Sequence, residues 1–223
     1  MSLWETLAEP WQVCLTLAWE SYCRGSLPIA AVIVDEEGCV VARGRNRLQD
    51  DDATPRALHR HPLAHAEVNA LMDFPFRSLK PEHCTLLTNL EPCPLCVGAV
   101  RMSHVGTLIY AARDPWAGVT RLFETDPYVG RWGRPGIAVS SLSGSALETC
   151  TIALQTEAHL RGVRSGGVPN ELPFFNVWRE VLPEGVAAGE RLFARDSLPE
   201  LAHAGADAEQ VYGVIEAAVL EAA

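Results

Sequence analysis

Two short runs constrain this chain more than anything else in it: His65-Ala66-Glu67, and Glu91-Pro92-Cys93-Pro94-Leu95-Cys96 further along. One imidazole and two thiolates fill three of zinc's four tetrahedral positions, and a fourth left to water marks a catalytic rather than a structural centre. Zinc brings the pKa of such a water from about 15.7 down to roughly 7. Glu67 lies two residues from His65, close enough to handle protons without binding the metal. A lone C-x-x-C is often a redox pair or half of a structural zinc site. Here no second C-x-x-C and no nearby His pair closes a structural site. His65, Cys93 and Cys96 are therefore read as metal ligands, zinc as the cofactor, and Glu67 as the catalytic carboxylate.

The spacing fits a helix that begins at the cysteines. Cys93 and Cys96 stand at i and i+3 and share one face. Pro92 and Pro94 suit a helix start, where a missing amide costs nothing. The positive end of that helix favours both thiolates. The reading is a helix over Pro94–Ser103, with Gly98 and Ala99 allowing close approach to a sheet.

Before it, residues 5–24 place Leu7, Trp11, Leu15, Ala18 and Tyr22 at helical spacing, with Gly25 just past the end. Residues 28–34 (PIAAVIV) form a short, β-branched apolar run, read as a strand covered on both faces. The turn Asp35-Glu36-Glu37-Gly38 sends the chain back as a strand over Cys39–Arg47. Leu63–Phe74 reads as a helix carrying His65-Ala66-Glu67 in its first turn, with Ala66, Val68, Ala70, Leu71 and Met72 on its buried faces. Strands follow at Cys84–Leu90, Gly106–Ala112 and Ile137–Leu142, and a helix at Leu147–Val163. Strand, metal-bearing helix and strand in that order imply a right-handed crossover and parallel pairing. The fold class is α/β: a three-layer α/β/α sandwich around a mixed, roughly five-stranded sheet. It occupies residues 1–165. The linker-like RSGGVPNELP (164–173) then leads to a helical C-terminal extension, 166–223, with helices expected over Phe174–Leu182 and Asp207–Ala222, and no chemistry is read in it.

Several residues outside the two motifs are candidates. On the second strand Arg43, Arg45 and Arg47 point one way, and Val40, Ala42, Gly44 and Asn46 the other. Asn46 ends the apolar side, where its amide either reads the edge of a base or caps the strand. His59 and His61 sit in a polar loop and are read as solvated rather than as ligands, with a part in gating the site mouth left open. Trp116, Phe123, Tyr128 and Trp132 follow the fourth strand, where aromatics either stack on a flat substrate or seal the core edge. Trp116, directly after Asp114-Pro115, is the one singled out for substrate contact.

The 223 residues are 48% apolar, enough for a sizeable core. No run approaches the ~20 apolar residues that span a bilayer, so no membrane partner is expected. Glu5 and Glu9 stand where a secretory signal would be basic. Seven cysteines are an odd number. The five outside the motif are expected to be buried thiols in a reducing, cytoplasmic setting. The net charge is −10, with Lys80 the single lysine beside seventeen arginines. Such a surface does not attract polyanions by itself, which weakens the case for a large nucleic-acid partner.

With His65-Ala66-Glu67 and Leu90-Glu91-Pro92-Cys93-Pro94-Leu95-Cys96-Val97-Gly98-Ala99, the chain resembles the cytidine-deaminase-like superfamily over roughly residues 5–165. The wording L-E-P-C-P-x-C, with Gly44-Arg45-Asn46 before it and Tyr110-Ala111-Ala112-Arg113-Asp114 after it, is similar to the branch of tRNA adenosine deaminases and guanine deaminases. The resemblance implies zinc on His65, Cys93 and Cys96, Glu67 as proton shuttle, and a base held by Asn46, with Ala66 and Asp114 also at the substrate. It implies hydrolytic removal of an exocyclic amine from a nucleobase or nucleoside, and a homodimer. Two departures bear on the substrate: a longer loop before His65, and an acidic tail where tRNA deaminases carry a basic helix. Free nucleobase or nucleoside is therefore the first expectation, adenosine in a tRNA anticodon the second, and a non-catalytic zinc domain the third.

Overall fold

The computed structural model describes residues 2–51, 54–127, 129, 136–164 and 173–222. Tyr128, Trp132 and most of the linker-like stretch (165–172) lie outside the described residues.

The five strands are β1 (Ala30–Val34), β2 (Val40–Arg45), β3 (Thr85–Leu90), β4 (Thr107–Ala112) and β5 (Ala138–Ser141), in the spatial order β2-β1-β3-β4-β5. β1 pairs antiparallel with both β2 and β3, whereas β3–β4 and β4–β5 are parallel. The sheet is mixed, as its sequence implies. Every residue of β1 is buried, and the period of two divides it between two cores. Ala31 and Ile33 join Leu86, Leu108, Val97 and Val100 on one side. Ala30, Val32 and Val34 join Cys14, Ala18 and Leu87 on the other.

The helices make the outer layers. α1 is Leu3–Thr6, α2 Glu9–Cys23, α3 Ala66–Asp73, α4 Pro94–Ser103, α5 Leu122–Thr125 and α6 Ala146–Arg164. The extension folds as α7 (Pro173–Val181), α8 (Pro183–Arg195), α9 (Ser197–Ala204) and α10 (Ala208–Leu220). α3 and α4 cover one face of the sheet, α2 and α6 the other. Leu192, Leu198, Val211, Tyr212 and Ile215 of the extension pack in one cluster with Leu15 and Trp19 of α2 and Leu154 of α6.

Some expectations change in detail. The first helix is two helices, because Pro10 sits in the first turn of α2 and Ala8 is its extended N-cap. α3 starts at Ala66 rather than Leu63, with His65 extended as its N-cap. Met72 is 41% exposed; Asn69 takes the buried place, holding the loop before it through its contacts with Leu58 and the Arg45 carbonyl. Gly98 makes no close approach: a side chain there would meet nothing, and Cys96, Val97 and Val100 do the packing. β2 ends at Arg45, so the alternation stops there and Arg47 is buried, paired with Asp50 at 3.2 Å. Cys23 and Cys39 are exposed; Cys14, Cys84 and Cys150 are buried, and all seven cysteines are free. The helices α5, α8 and α9 have no counterpart among those expected from the sequence.

Candidate active site

Gly44 sets the position of the site. A Cβ on it would stand 2.2 Å from both the Ala66 carbonyl oxygen and the Ala70 nitrogen, so only glycine lets β2 lie against the first turn of α3. That contact brings Asn46, at the end of β2, beside His65, Ala66 and Glu67. β3 delivers the chain to Cys93, the extended N-cap of α4. The parallel β3–β4 pair then carries it back to Asp114 and Trp116 at the same end of the sheet.

The donor atoms of His65, Cys93 and Cys96 converge. The sulfurs are 3.7 Å apart, and His65 Nδ1 lies 3.6 Å from Cys93 Sγ and 3.5 Å from Cys96 Sγ. A regular tetrahedron with Zn–S of about 2.3 Å and Zn–N of about 2.0–2.1 Å has edges of about 3.8 Å between sulfurs and about 3.6 Å between sulfur and nitrogen. The three side chains fit zinc without rearrangement. They are the single such cluster among the described residues, and neither His59 nor His61 belongs to it.

The two sulfurs and the imidazole shift one another's titration. The thiol of Cys96 and the His65 imidazole hold Cys93 down to about 4, against burial. The adjacent Cys93 sulfur, burial and the Glu67 carboxylate push Cys96 far up. Two sulfurs this close cannot both ionise unless a positive ion lies between them. Glu67 is 3% exposed with Oε2 3.2 Å from Cys96 Sγ, and burial raises its pKa above the usual carboxylate range. Hydrogen bonding to Cys93 raises that of His65.

Asn46, His65, Ala66, Glu67, Cys93, Asp114 and Trp116 line one cavity of ≈ 300 Å³, while Cys96 sits behind it. Asn46 Oδ1 accepts the Leu48 amide at 3.2 Å, so the group of this cavity-lining side chain with no partner among the described residues is its amide nitrogen. Asp114 Oδ1 accepts the amides of Trp116 at 3.0 Å and Ala117 at 3.1 Å. Trp116 is 56% exposed, at the rim. Phe123 is in the core, as a sealing aromatic is.

Other residues at the site had not been singled out. Glu91 takes Thr120 through its amide at 3.1 Å and its hydroxyl at 2.6 Å, and the Asp114 amide at 3.2 Å. It ties the end of β3 to the loop after β4, and Gly118 is required beside it, since a Cβ there would lie 2.4 Å from Glu91 Cδ. His159 of α6 and Phe174 and Trp178 of α7 also line the cavity, with Leu27, Ile29 and Leu90, which brings the C-terminal tail into the site against the sequence expectation. Phe174 and Trp178 are four apart on a helix, a visible pairing; the sequence does not say what that face meets.

With the geometry in place, the profile of the cytidine and deoxycytidylate deaminase zinc-binding region matches residues 5–112. A tRNA(Ile)-lysidine synthase of Deinococcus radiodurans is 34% identical over 134 residues, 59% of this chain but 22% of that protein. A tRNA-specific adenosine deaminase of Bacillus subtilis is 36% identical over 98 residues, 43% of this chain and 55% of that one. The guanine deaminase of Bacillus subtilis is 34% identical over 101 residues, 44% of this chain and 59% of that one. The chain thus spans about a fifth of the first of these relatives and little more than half of the other two. Both metal motifs lie within residues 5–112, the stretch that is similar to the cytidine and deoxycytidylate deaminase zinc-binding region.

Proposed function

We propose that the protein is a zinc-dependent hydrolase that replaces the exocyclic amine of a small nucleobase or nucleoside with a carbonyl and releases ammonia. The observation that carries this is the buried carboxylate of Glu67 against three donors spaced for zinc, at the floor of a cavity of ≈ 300 Å³. His65, Cys93 and Cys96 would hold zinc, which would supply a water acidic enough to serve as nucleophile at neutral pH. Glu67 accepts the water's proton and passes it to a ring nitrogen of the base, which readies the amine-bearing carbon for attack. It then delivers the second proton to the departing amine. Burial raises the pKa of this carboxyl, which favours its protonated form and so its delivery of a proton. The Asn46 amide nitrogen donates to an acceptor on the base, and Asp114 shapes the loop that carries Trp116 over the mouth.

A base within tRNA is the second reading, because two of the relatives named above act on or modify tRNA by name. A net charge of −10 opposes it. Among the described residues no helix is long and apolar enough to cross a membrane. We propose further that the protein works in a reducing, cytoplasmic setting, which its free thiols suit, and as a homodimer, the second point being tested by sedimentation. The activity is tested by ammonia release from guanine, adenine, cytosine, their nucleosides and bulk tRNA. Release from a free base or nucleoside supports the first reading. Release from tRNA alone, with binding that falls steeply as salt rises, replaces it with the second.

A further inference from the structure

One wall of the cavity comes from outside both metal motifs. His159 on α6 faces it together with Phe174 and Trp178 on α7. His159 Nδ1 lies 2.7 Å from the Gln155 carbonyl oxygen. A carbonyl only accepts, so the proton sits on Nδ1 and a neutral ring carries its lone pair on Nε2. Burial pushes the imidazole's pKa down and keeps the ring neutral. The rings of Phe174, Trp178 and Phe175 stand edge-to-face to it at 4.9, 5.8 and 6.2 Å. These contacts fix the ring's plane, and no protein donor is recorded at Nε2 among the described residues.

Other polar groups of the wall are partly committed: Asp114 uses Oδ1 and keeps Oδ2 as a second acceptor at the cavity. Trp178 Nε1 donates to Asp114 Oδ1 at 3.2 Å, so the indole offers the cavity only its ring. Asn46 offers a donor, its oxygen being held by Leu48. The cavity lining therefore offers the Asn46 amide donor, the His159 imidazole, the second Asp114 oxygen, aromatic carbon and the aliphatic side chains of Leu27, Ile29 and Leu90, besides Glu67 and the metal ligands. Resting on the deaminase reading above, we propose that His159 Nε2 is the specificity acceptor of this site. It takes a ring N–H of a free nucleobase, the N–H that an N-glycosidic bond removes. A nucleoside loses that donor, leaves Nε2 unpaired, and sets a sugar against His159, Phe174 and Trp178. A cavity of ≈ 300 Å³ is at the low end of the about 300–1,000 Å³ that small-molecule sites span, which suits a bare base. Sites built to hydrogen-bond a group reject analogues that lack it by up to about 10⁴–10⁵-fold.

The test is equilibrium dialysis of the zinc-loaded full chain, carrying Glu67→Gln to prevent turnover, against labelled guanine, adenine and cytosine and their ribonucleosides. The expected result is that at least one free base binds about 100-fold or more tightly than its nucleoside. His159→Phe, added to that chain, narrows the gap at least about tenfold, while His159→Gln, whose side-chain oxygen still accepts, keeps it. Circular dichroism identifies any variant that fails to fold, in which case the glutamine variant and the base-to-nucleoside ratio of the parent decide. Equal binding of base and nucleoside, a gap that His159→Phe leaves unchanged, or no binding of any base overturns the proposal. Absence of ammonia release from wild-type protein counts against the deaminase reading instead, because the dialysis result does not depend on turnover.

Discussion

Trp178 Nε1 donates a hydrogen bond to Asp114 Oδ1 at 3.2 Å, across 64 positions of the chain. It joins the C-terminal extension to the loop that follows β4, and both elements face the same cavity. The extension is thereby part of the site's wall. Trp178→Phe keeps the ring and removes the donor. A bond to a carboxylate contributes about 1.5–3 kcal/mol, so the urea midpoint falls by a corresponding amount and KM rises. An unchanged midpoint would show that the bond carries no weight.

Glu67→Gln preserves shape and removes the carboxyl proposed to carry protons. Ammonia release drops by about 10²–10⁴-fold, the usual contribution of general acid–base catalysis. Zinc content, read by mass spectrometry of the acid-digested protein, stays at the wild-type level. Wild-type rates in this variant refute the assignment of the shuttle.

Gly44→Ala forces a methyl into the Ala66 carbonyl and the Ala70 amide, each 2.2 Å from the new atom. Backbone cannot yield as a flexible side chain does, so the overpacking costs about 1–3 kcal/mol in urea unfolding. It also displaces the first turn of α3 from β2 and lowers ammonia release. The control is Gly98→Ala on α4, where a side chain meets nothing and stability holds.

Burial alone would raise the pKa of Glu148, but hydrogen bonds from the Arg113 side chain and the Gly144 and Arg113 amides outweigh it and hold the carboxyl below its usual range. The unfolded chain therefore binds a proton first as pH falls. The stability that Glu148 contributes is present above the unfolded carboxylate pKa of about 4.3 and is lost as pH falls through the lower folded value. Glu148→Gln shows a shallower loss of stability than wild type over that acid window in urea titrations at stepped pH. Parallel curves contradict this.

The metal-bearing part of the fold is legible because its local signals agree. Pro94 opens α4 where the cysteines need a helix start, and the β-branched apolar run before Asp35 leaves β1 one role, a strand buried on both faces. The sequence is silent where an outcome depends on what one face meets. Helical spacing shows that Phe174 and Trp178 lie together, yet the partner of that face, His159 and Asp114, is a tertiary fact. Gly98 and Gly44 look alike as letters; one faces solvent, the other a helix backbone. His65 in the first turn of a helix and His65 as its extended N-cap differ by a single backbone torsion, which periodicity does not encode.

The central claim is one zinc held by His65, Cys93 and Cys96 with a position left for chemistry. X-ray absorption at the zinc edge of the purified protein tests it most directly. The account predicts one zinc per chain with two sulfurs at about 2.3 Å and two lighter atoms at about 2.0–2.1 Å, one of them imidazole nitrogen. Four sulfurs, or a sulfur shell that survives replacement of both Cys93 and Cys96 by serine, would contradict it.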